Sequence, residues 1–127
     1  MALSSRDKDK LVRLIDEKIE ELFSMFKIKW AKGKNYYYGQ CPLCKSESKT
    51  ALSYYPSALG ATHSYWLCRS NNCHDTYMKS PIGLIRGLLS VTEYGGKMAE
   101  WTKTIDWIME FVDCKGMTPN EFRQLAV

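Results

Sequence analysis

The chain lacks the features that would place it in a membrane or outside the cell. No apolar run approaches the roughly 20 residues that are needed to span a bilayer. The N-terminal segment, "MALSSRDKDK", is charged and lacks the apolar stretch of a signal peptide. There is also no internal repeat and no low-complexity linker. These absences favour a cytoplasmic protein that has no membrane partner.

Two signals of catalysis are absent as well. The chain has no glycine-rich phosphate loop, and no predicted strand ends in a pair of carboxylates suited to two metal ions. Its acidic residues lie mainly on predicted helices, at positions expected to face solvent. We therefore expect residues 1–127 to form a single, non-catalytic domain.

Positive charge is unevenly distributed along the chain, whose net charge is +4. Residues 1–40 hold nine Lys/Arg against six Asp/Glu, and residues 41–80 hold four against two. Residues 81–127 hold five against six. A basic surface formed by the first two thirds would suit a polyanion, although an ordinary solvated surface explains the same excess.

Hydrophobic periodicity predicts an α+β fold in three parts. Apolar residues recur at three- and four-residue steps over about 5–26, which predicts an amphipathic helix. Residues 27–78 alternate in short β-rich runs and are expected to form a small antiparallel ribbon. Helices are expected over about 80–126, the first of them capped by Ser80 with Pro81 at its first position. A capping box at 118–121 predicts the last helix.

Four of the five cysteines lie in two short runs, "CPLC" and "CRSNNCH". Disulfides are rare in the cytosol, where paired cysteine clusters are more often metal sites. Two ligands on each of two tight turns suit the tetrahedral coordination of zinc. His74 could replace the last cysteine, and His63 is a third candidate that lies in a predicted strand. The favoured Zn²⁺ ligands are Cys41, Cys44, Cys68 and Cys73.

Aromatic residues are concentrated in the same region. Seven of the eight tyrosines fall between residues 36 and 77, together with one tryptophan and several basic residues. Single-stranded nucleic acid is bound by aromatic stacking along a positive groove. Strand alternation should turn about half of these rings inward to cover the ribbon and half outward. The candidate nucleic-acid contacts are Lys34, Tyr37, Lys49, Tyr55, Trp66 and Arg69.

The run "GKNYYYGQCPLCKSESKTALSYY…HSYWLCRSNNCHDTYMKSPIGLIRGLL" resembles the zinc-binding domain of DnaG-type primases, the bacterial and phage enzymes that start DNA chains. The resemblance covers most of residues 10–113. Cysteine rather than histidine at position 44 is closer to phage-type members. The four-residue gap between Cys68 and Cys73 departs from the usual two, and Lys45 stands where many zinc ribbons have glycine.

The resemblance implies a zinc ribbon that binds single-stranded template and supports primer initiation during DNA replication. In that family the catalytic acidic cluster lies in a separate domain, so a primase catalytic domain or a replicative helicase would be a partner. Two alternatives remain open. The chain could be a stand-alone nucleic-acid-binding regulator of a virus or mobile element, or a zinc-stapled protein-interaction adaptor. The adaptor would dock through the helix at 98–112, with Trp101 or Trp107 exposed.

Overall fold

The structure, a computed structural model, describes residues 5–44, 47–56 and 63–112. This part of the chain contains a four-stranded antiparallel sheet with helices on either side of it in sequence, which confirms the predicted α+β class. None of its helices is long and apolar enough to cross a membrane. In chain order the elements are α1 (Ser5–Glu17), α2 (Ile19–Met25), β1 (Trp30–Lys32), β2 (Tyr37–Gly39), β3 (Leu52–Tyr55), β4 (Tyr65–Cys68), α3 (Cys73–Tyr77), α4 (Pro81–Thr92) and α5 (Trp101–Phe111).

The predicted N-terminal helix is interrupted at Lys18, so the expectation of one continuous helix is wrong. The Lys18 backbone N–H donates to the Ile15 carbonyl at 3.0 Å, a tighter turn than an α-helix makes. Its side-chain Nζ donates to the Phe111 carbonyl at 3.1 Å, at the end of α5. A cation at a helix C-terminus is favourable, so a contact across the fold accompanies the break between α1 and α2.

The sheet has the order β1-β2-β3-β4, and each neighbouring pair is antiparallel. β2 and β4 therefore run in the same direction on either side of β3, and their C-terminal ends lie at the same edge. Gly39, the last residue of β2, lies so close to the Lys29 carbonyl that a Cβ would clash with it. Glycine is thus required where β1 and β2 approach each other.

One face of the sheet packs against the N-terminal helices and is called the inner face. The Phe23 ring of α2 contacts Tyr37 and Tyr54 edge to face, at centroid distances of 5.9 and 5.8 Å. Tyr54 and Trp66 are fully buried on this face. The opposite face, called the outer face, carries side chains of alternate parity: Tyr36, Tyr38, Ser53, Tyr55, Tyr65, Leu67 and Arg69.

α4 and α5 lie within the stretch where helices are expected, whereas α3 is a short helix inside the stretch predicted as ribbon. Ser80 caps α4, because its Oγ accepts a hydrogen bond from the Gly83 N–H at 3.2 Å, and Pro81 is the first helical residue. The capping box at 118–121 and the last predicted helix lie outside the described residues.

Candidate metal centre and nucleic-acid interface

The four cysteine sulfurs of the two clusters converge at one edge of the sheet. Cys41 and Cys44 follow the end of β2, and Cys68 and Cys73 flank the turn after β4. All four Sγ atoms lie within 4.8 Å of one another. The Cys41 and Cys73 sulfurs are 4.0 Å apart, and those of Cys44 and Cys68 are 3.6 Å apart.

These distances fit a single thiolate-bound metal ion. A tetrahedral site with metal–sulfur bonds of about 2.3 Å places its sulfurs roughly 3.8 Å apart. A disulfide would bring two sulfurs to about 2.0 Å, and all four cysteines are free. The four side chains that the sequence predicts as ligands are therefore arranged so that they could hold a metal ion.

The unusual gap in the second cluster is closed by a left-handed residue. Asn72 has φ 52° and ψ 42°, a conformation that asparagine tolerates better than most residues do. Its N–H donates to the Cys68 carbonyl at 3.1 Å, and α3 begins at the next residue, Cys73. The four residues between Cys68 and Cys73 thus form a compact turn that brings the Cys73 sulfur close to the Cys68 sulfur.

Three of the thiols have shifted pKa values, and the shifts differ in direction. Burial raises the pKa of Cys41 to about 12, and burial together with the nearby charge of Cys41 raises the pKa of Cys73. Burial also opposes ionisation of Cys68, but three backbone N–H groups of the turn, led by that of Cys73, outweigh it and lower the pKa of Cys68 to about 6. A bound cation would supply the positive charge that lets the buried thiols ionise.

The two histidine candidates lie outside this sulfur cluster. His74 is buried, and its Nδ1 accepts a hydrogen bond from the Cys68 N–H at 2.9 Å. Its ring also packs edge to face on Trp66, at 6.1 Å between centroids. His74 thus holds the backbone of a candidate ligand, whereas His63 is exposed. The geometry favours Cys73 as the fourth ligand.

Two of the predicted nucleic-acid contacts are corrected by burial. Tyr37 is only 6% exposed, packs against Phe23 and Trp30, and donates its hydroxyl hydrogen to Glu20 Oε2 at 2.8 Å. Trp66 is 0% exposed, and its Nε1–H donates to a backbone carbonyl at 2.8 Å. Neither ring can stack on a base without unfolding the core.

A signal in the sequence could have placed both rings correctly. Side chains two residues apart on a strand share a face. Tyr37 has the same parity as Cys41, and Trp66 has the same parity as Cys68. Both cysteines are fully buried. The parity of the metal ligands therefore predicts which rings point inward, whereas the aromatic pattern alone does not.

The outer face carries a row of tyrosines. Three of them are not among the candidate contacts predicted from the sequence: Tyr36, Tyr38 and Tyr65. The rings of Tyr55 and Tyr65 stack at 4.6 Å with planes 14° apart. Tyr36 stacks on the other side of Tyr55 at 5.3 Å and 21°, and Tyr38 lies 5.7 Å from Tyr36 at 42°. Tyr55 is thus on the predicted surface, but neighbouring rings lie against both of its faces, so it offers its edge and hydroxyl.

The predicted basic residues lie on or around this face. The Arg69 guanidinium donates to Ser53 Oγ at 3.3 Å and to the Tyr55 hydroxyl at 2.7 Å. Lys34 lies in the turn between β1 and β2, Lys49 lies shortly before β3, and both are exposed. A cleft of about 540 Å³ opens on the outer face and is lined by Gly33, Tyr36, Tyr38, Thr50, Ser53 and Arg69.

The helix expected to serve as an adaptor surface packs its tryptophans partly inward. Trp101 is half-buried, with the Arg86 guanidinium 5.7 Å from its ring centroid. Trp107 is half-buried between Phe26 and Phe111, at 5.6 and 5.3 Å. Neither ring is exposed in the way that the adaptor hypothesis expects.

The chain matches no protein-family model, no curated protein and no solved structure. The interpretation of the cysteine centre and of the outer face therefore depends on their own geometry and chemistry.

Proposed function

We propose that this chain is a zinc-binding module that binds single-stranded DNA through the outer face of its sheet and supports primer initiation during DNA replication. The observation that carries the proposal is the outer face itself. It combines a row of tyrosine rings with Arg69, close to the strand ends that position the four cysteines.

Zinc is the metal that this donor set favours. Four thiolates in a tetrahedral arrangement suit Zn²⁺ or iron, and zinc is the common choice where the ion only stabilises a fold. Four protein ligands would close the coordination sphere and leave no position for a substrate or an activated water molecule. The site is therefore suited to a structural role, in keeping with a module that has no catalytic activity of its own.

The outer face has the two components that single-stranded nucleic acid requires. Aromatic rings provide stacking surfaces for bases, each worth about 1–3 kcal/mol. Lys34, Lys49 and Arg69 provide positive charge for the phosphates. The β-hairpin positions that carry the rings are fixed by the antiparallel register, so a flexible strand would meet a preformed surface.

The role in priming is supported by the resemblance of the cysteine-rich region to primase zinc-binding domains. A role in priming would account for a module that binds template but has no polymerising centre of its own. A primase catalytic domain or a replicative helicase would then act on the same strand.

Titration of a fluorescent single strand of about 12 nucleotides, within the usual site size, tests the binding surface. Each lost phosphate contact should lower the salt slope by about 0.7, so the Lys34→Ala/Lys49→Ala variant should lower it by about 1.4. Lys97→Ala/Lys103→Ala is the matched control, because both lysines are exposed and lie around the start of α5, apart from the sheet.

Equal salt slopes for the wild type and for the Lys34→Ala/Lys49→Ala variant would place the binding surface elsewhere. Binding to the duplex of the same sequence at least as tightly as to the single strand would favour the regulator over the priming module. Template-directed dinucleotide synthesis by the purified chain would contradict a non-catalytic role.

A further inference from the structure

We infer that the cleft on the outer face is a binding site for one unpaired nucleobase, and that it favours guanine and thymine or uracil over adenine and cytosine. The favoured bases carry a carbonyl where the others carry an exocyclic amino group. This inference rests on the proposed binding of single-stranded DNA and adds a site of base selection to it.

The size and shape of the cleft suit a nucleotide. Its volume of about 540 Å³ lies within the roughly 300–1,000 Å³ of ordinary small-molecule sites. Gly33 allows the Tyr36 ring to lie close over the turn between β1 and β2, since a Cβ at this position would be 2.7 Å from Tyr36 Cε1. The glycine thereby leaves room for the ring that forms one wall.

Tyr38 supplies the stacking surface. Its neighbours across the sheet on the outer face are Ala31 and Ser53, both small. Its one ring contact among the described residues, with Tyr36, is tilted by 42° rather than parallel. Tyr38 therefore differs from Tyr55, whose two faces are covered, and keeps a face that a base can approach.

Arg69, which lines the cleft, is a pure hydrogen-bond donor. Arginine has five N–H groups and no acceptor. Arg69 uses Nε–H on Ser53 and one Nη2–H on Tyr55, which leaves donors at the guanidinium edge. Ser53 is 2% exposed, and its Oγ accepts from Arg69, so the serine holds the guanidinium in place, while its hydroxyl can both donate and accept.

Donors at the base edge select acceptors. A carbonyl at C6 of a purine or C4 of a pyrimidine accepts these bonds, whereas an amino group there presents a donor against a donor. Arginine paired with the O6 and N7 atoms of guanine is the commonest contact of this kind. The keto bases should therefore be favoured, because adenine and cytosine leave at least one of these donors without an acceptor.

The test uses a fluorescent strand of abasic residues that carries a single base at its centre. The ratio of its affinity to that of the fully abasic strand isolates the contribution of one base from that of the phosphates. We expect guanine and thymine to raise this ratio about tenfold more than adenine and cytosine do. The zinc-loaded chain of residues 1–127 is used throughout.

Two substitutions separate stacking from edge recognition. Tyr38→Ala should bring the ratio close to one for all four bases, with Tyr94→Ala as control, since Tyr94 is exposed and follows α4. Arg69→Ala should reduce the preference for keto bases severalfold, with Arg13→Ala as control, since Arg13 is exposed on α1. Circular dichroism and metal content establish that each variant is folded.

Ratios that are equal for all four bases, or larger for adenine or cytosine, would overturn the inference. Wild-type ratios in the Tyr38→Ala and Arg69→Ala variants would do the same. In either case binding of the fully abasic strand, with its salt dependence, would still support the proposed function. If no strand binds at all, the proposed function and the inference both fall.

Discussion

Removal of the metal ion proposed for the cysteine centre should destabilise the whole sheet and not only the two cysteine turns. β3 lies between β2 and β4, and the cysteine centre lies at the C-terminal ends of β2 and β4, so a metal ion there would join these two strands. Structural zinc contributes on the order of 10 kcal/mol to folding. The net stability of a domain is typically about 5–15 kcal/mol, so the loss of this contribution should leave the metal-free chain largely unfolded.

The stability of the folded state should also increase with the concentration of free zinc. A ligand present at about 100 times its dissociation constant stabilises the folded state by about 2.7 kcal/mol. For a domain of this size that corresponds to a rise of roughly 10 °C in the unfolding midpoint. Thermal unfolding followed by near-ultraviolet circular dichroism, in zinc-buffered and reducing solution, measures the shift.

Variants at the fourth ligand position make the test specific. Cys73→Ser should lower the metal content and the midpoint, whereas His74→Ala should retain one ion per chain, because the His74 imidazole accepts from a backbone N–H and lies outside the sulfur cluster. A metal-free sample, verified by mass spectrometry, that melts at the same temperature as the loaded protein would refute the argument. Full zinc binding by Cys73→Ser would refute the ligand assignment.

Three further outcomes follow from the core and the backbone. Trp66→Ala should lower the free energy of unfolding in urea by about 3–5 kcal/mol, because this fully buried ring leaves a cavity; a loss below about 1 kcal/mol would mean that the ring is not in the core. Met78→Gly should raise the free energy of unfolding by about 1 kcal/mol, since φ 86° and ψ 146° are strained for any residue except glycine and the Met78 side chain is half exposed. A fall in the free energy of unfolding would contradict the strain. Burial, with the hydrogen bond to Glu20 second, raises the pKa of Tyr37 to about 12 from 10.0. The neutral phenol therefore contributes stability below pH 10 that is lost as the pH rises towards 12, and Tyr37→Phe should show a smaller fall over that range.

The fold could be predicted largely from local patterns. The order of helix, ribbon and helices follows from apolar periodicity, and the Ser80 cap follows from a local hydrogen bond that the sequence encodes. The break at Lys18 could not be predicted, because neither glycine nor proline marks it. A bond from Lys18 Nζ to Phe111, 93 residues away in sequence, accompanies it, and such contacts leave no local signal.

The metal ligands were easier to predict than the rings. Cysteine spacing restricts where sulfurs can meet, so the four candidates converge as expected. Ring orientation depends instead on which face of the sheet the helices cover. In the run "YYY" the residue type is the same at all three positions, so the alternation of Tyr36, Tyr37 and Tyr38 has no phase of its own. The parity of Tyr37 with Cys41 supplies that phase in the sequence, and its physical cause in the structure is the packing of Phe23 of α2 against Tyr37.

The position of β3 between β2 and β4 has a consequence for the motions of the sheet. Leu52 is paired on one side with Gly39, two residues before Cys41, and on the other side with Cys68, itself a candidate ligand. Each amide at this end of β3 meets solvent only when β3 separates from the neighbouring strand, β2 or β4, to which that amide is bonded. A metal ion that ties those strands together would make such openings rare, so the rate of hydrogen–deuterium exchange in β3 should report how often a sulfur leaves the metal. Exchange at the Leu52 end should then be slower than at the Tyr55 end, and the difference should vanish in the chelated protein.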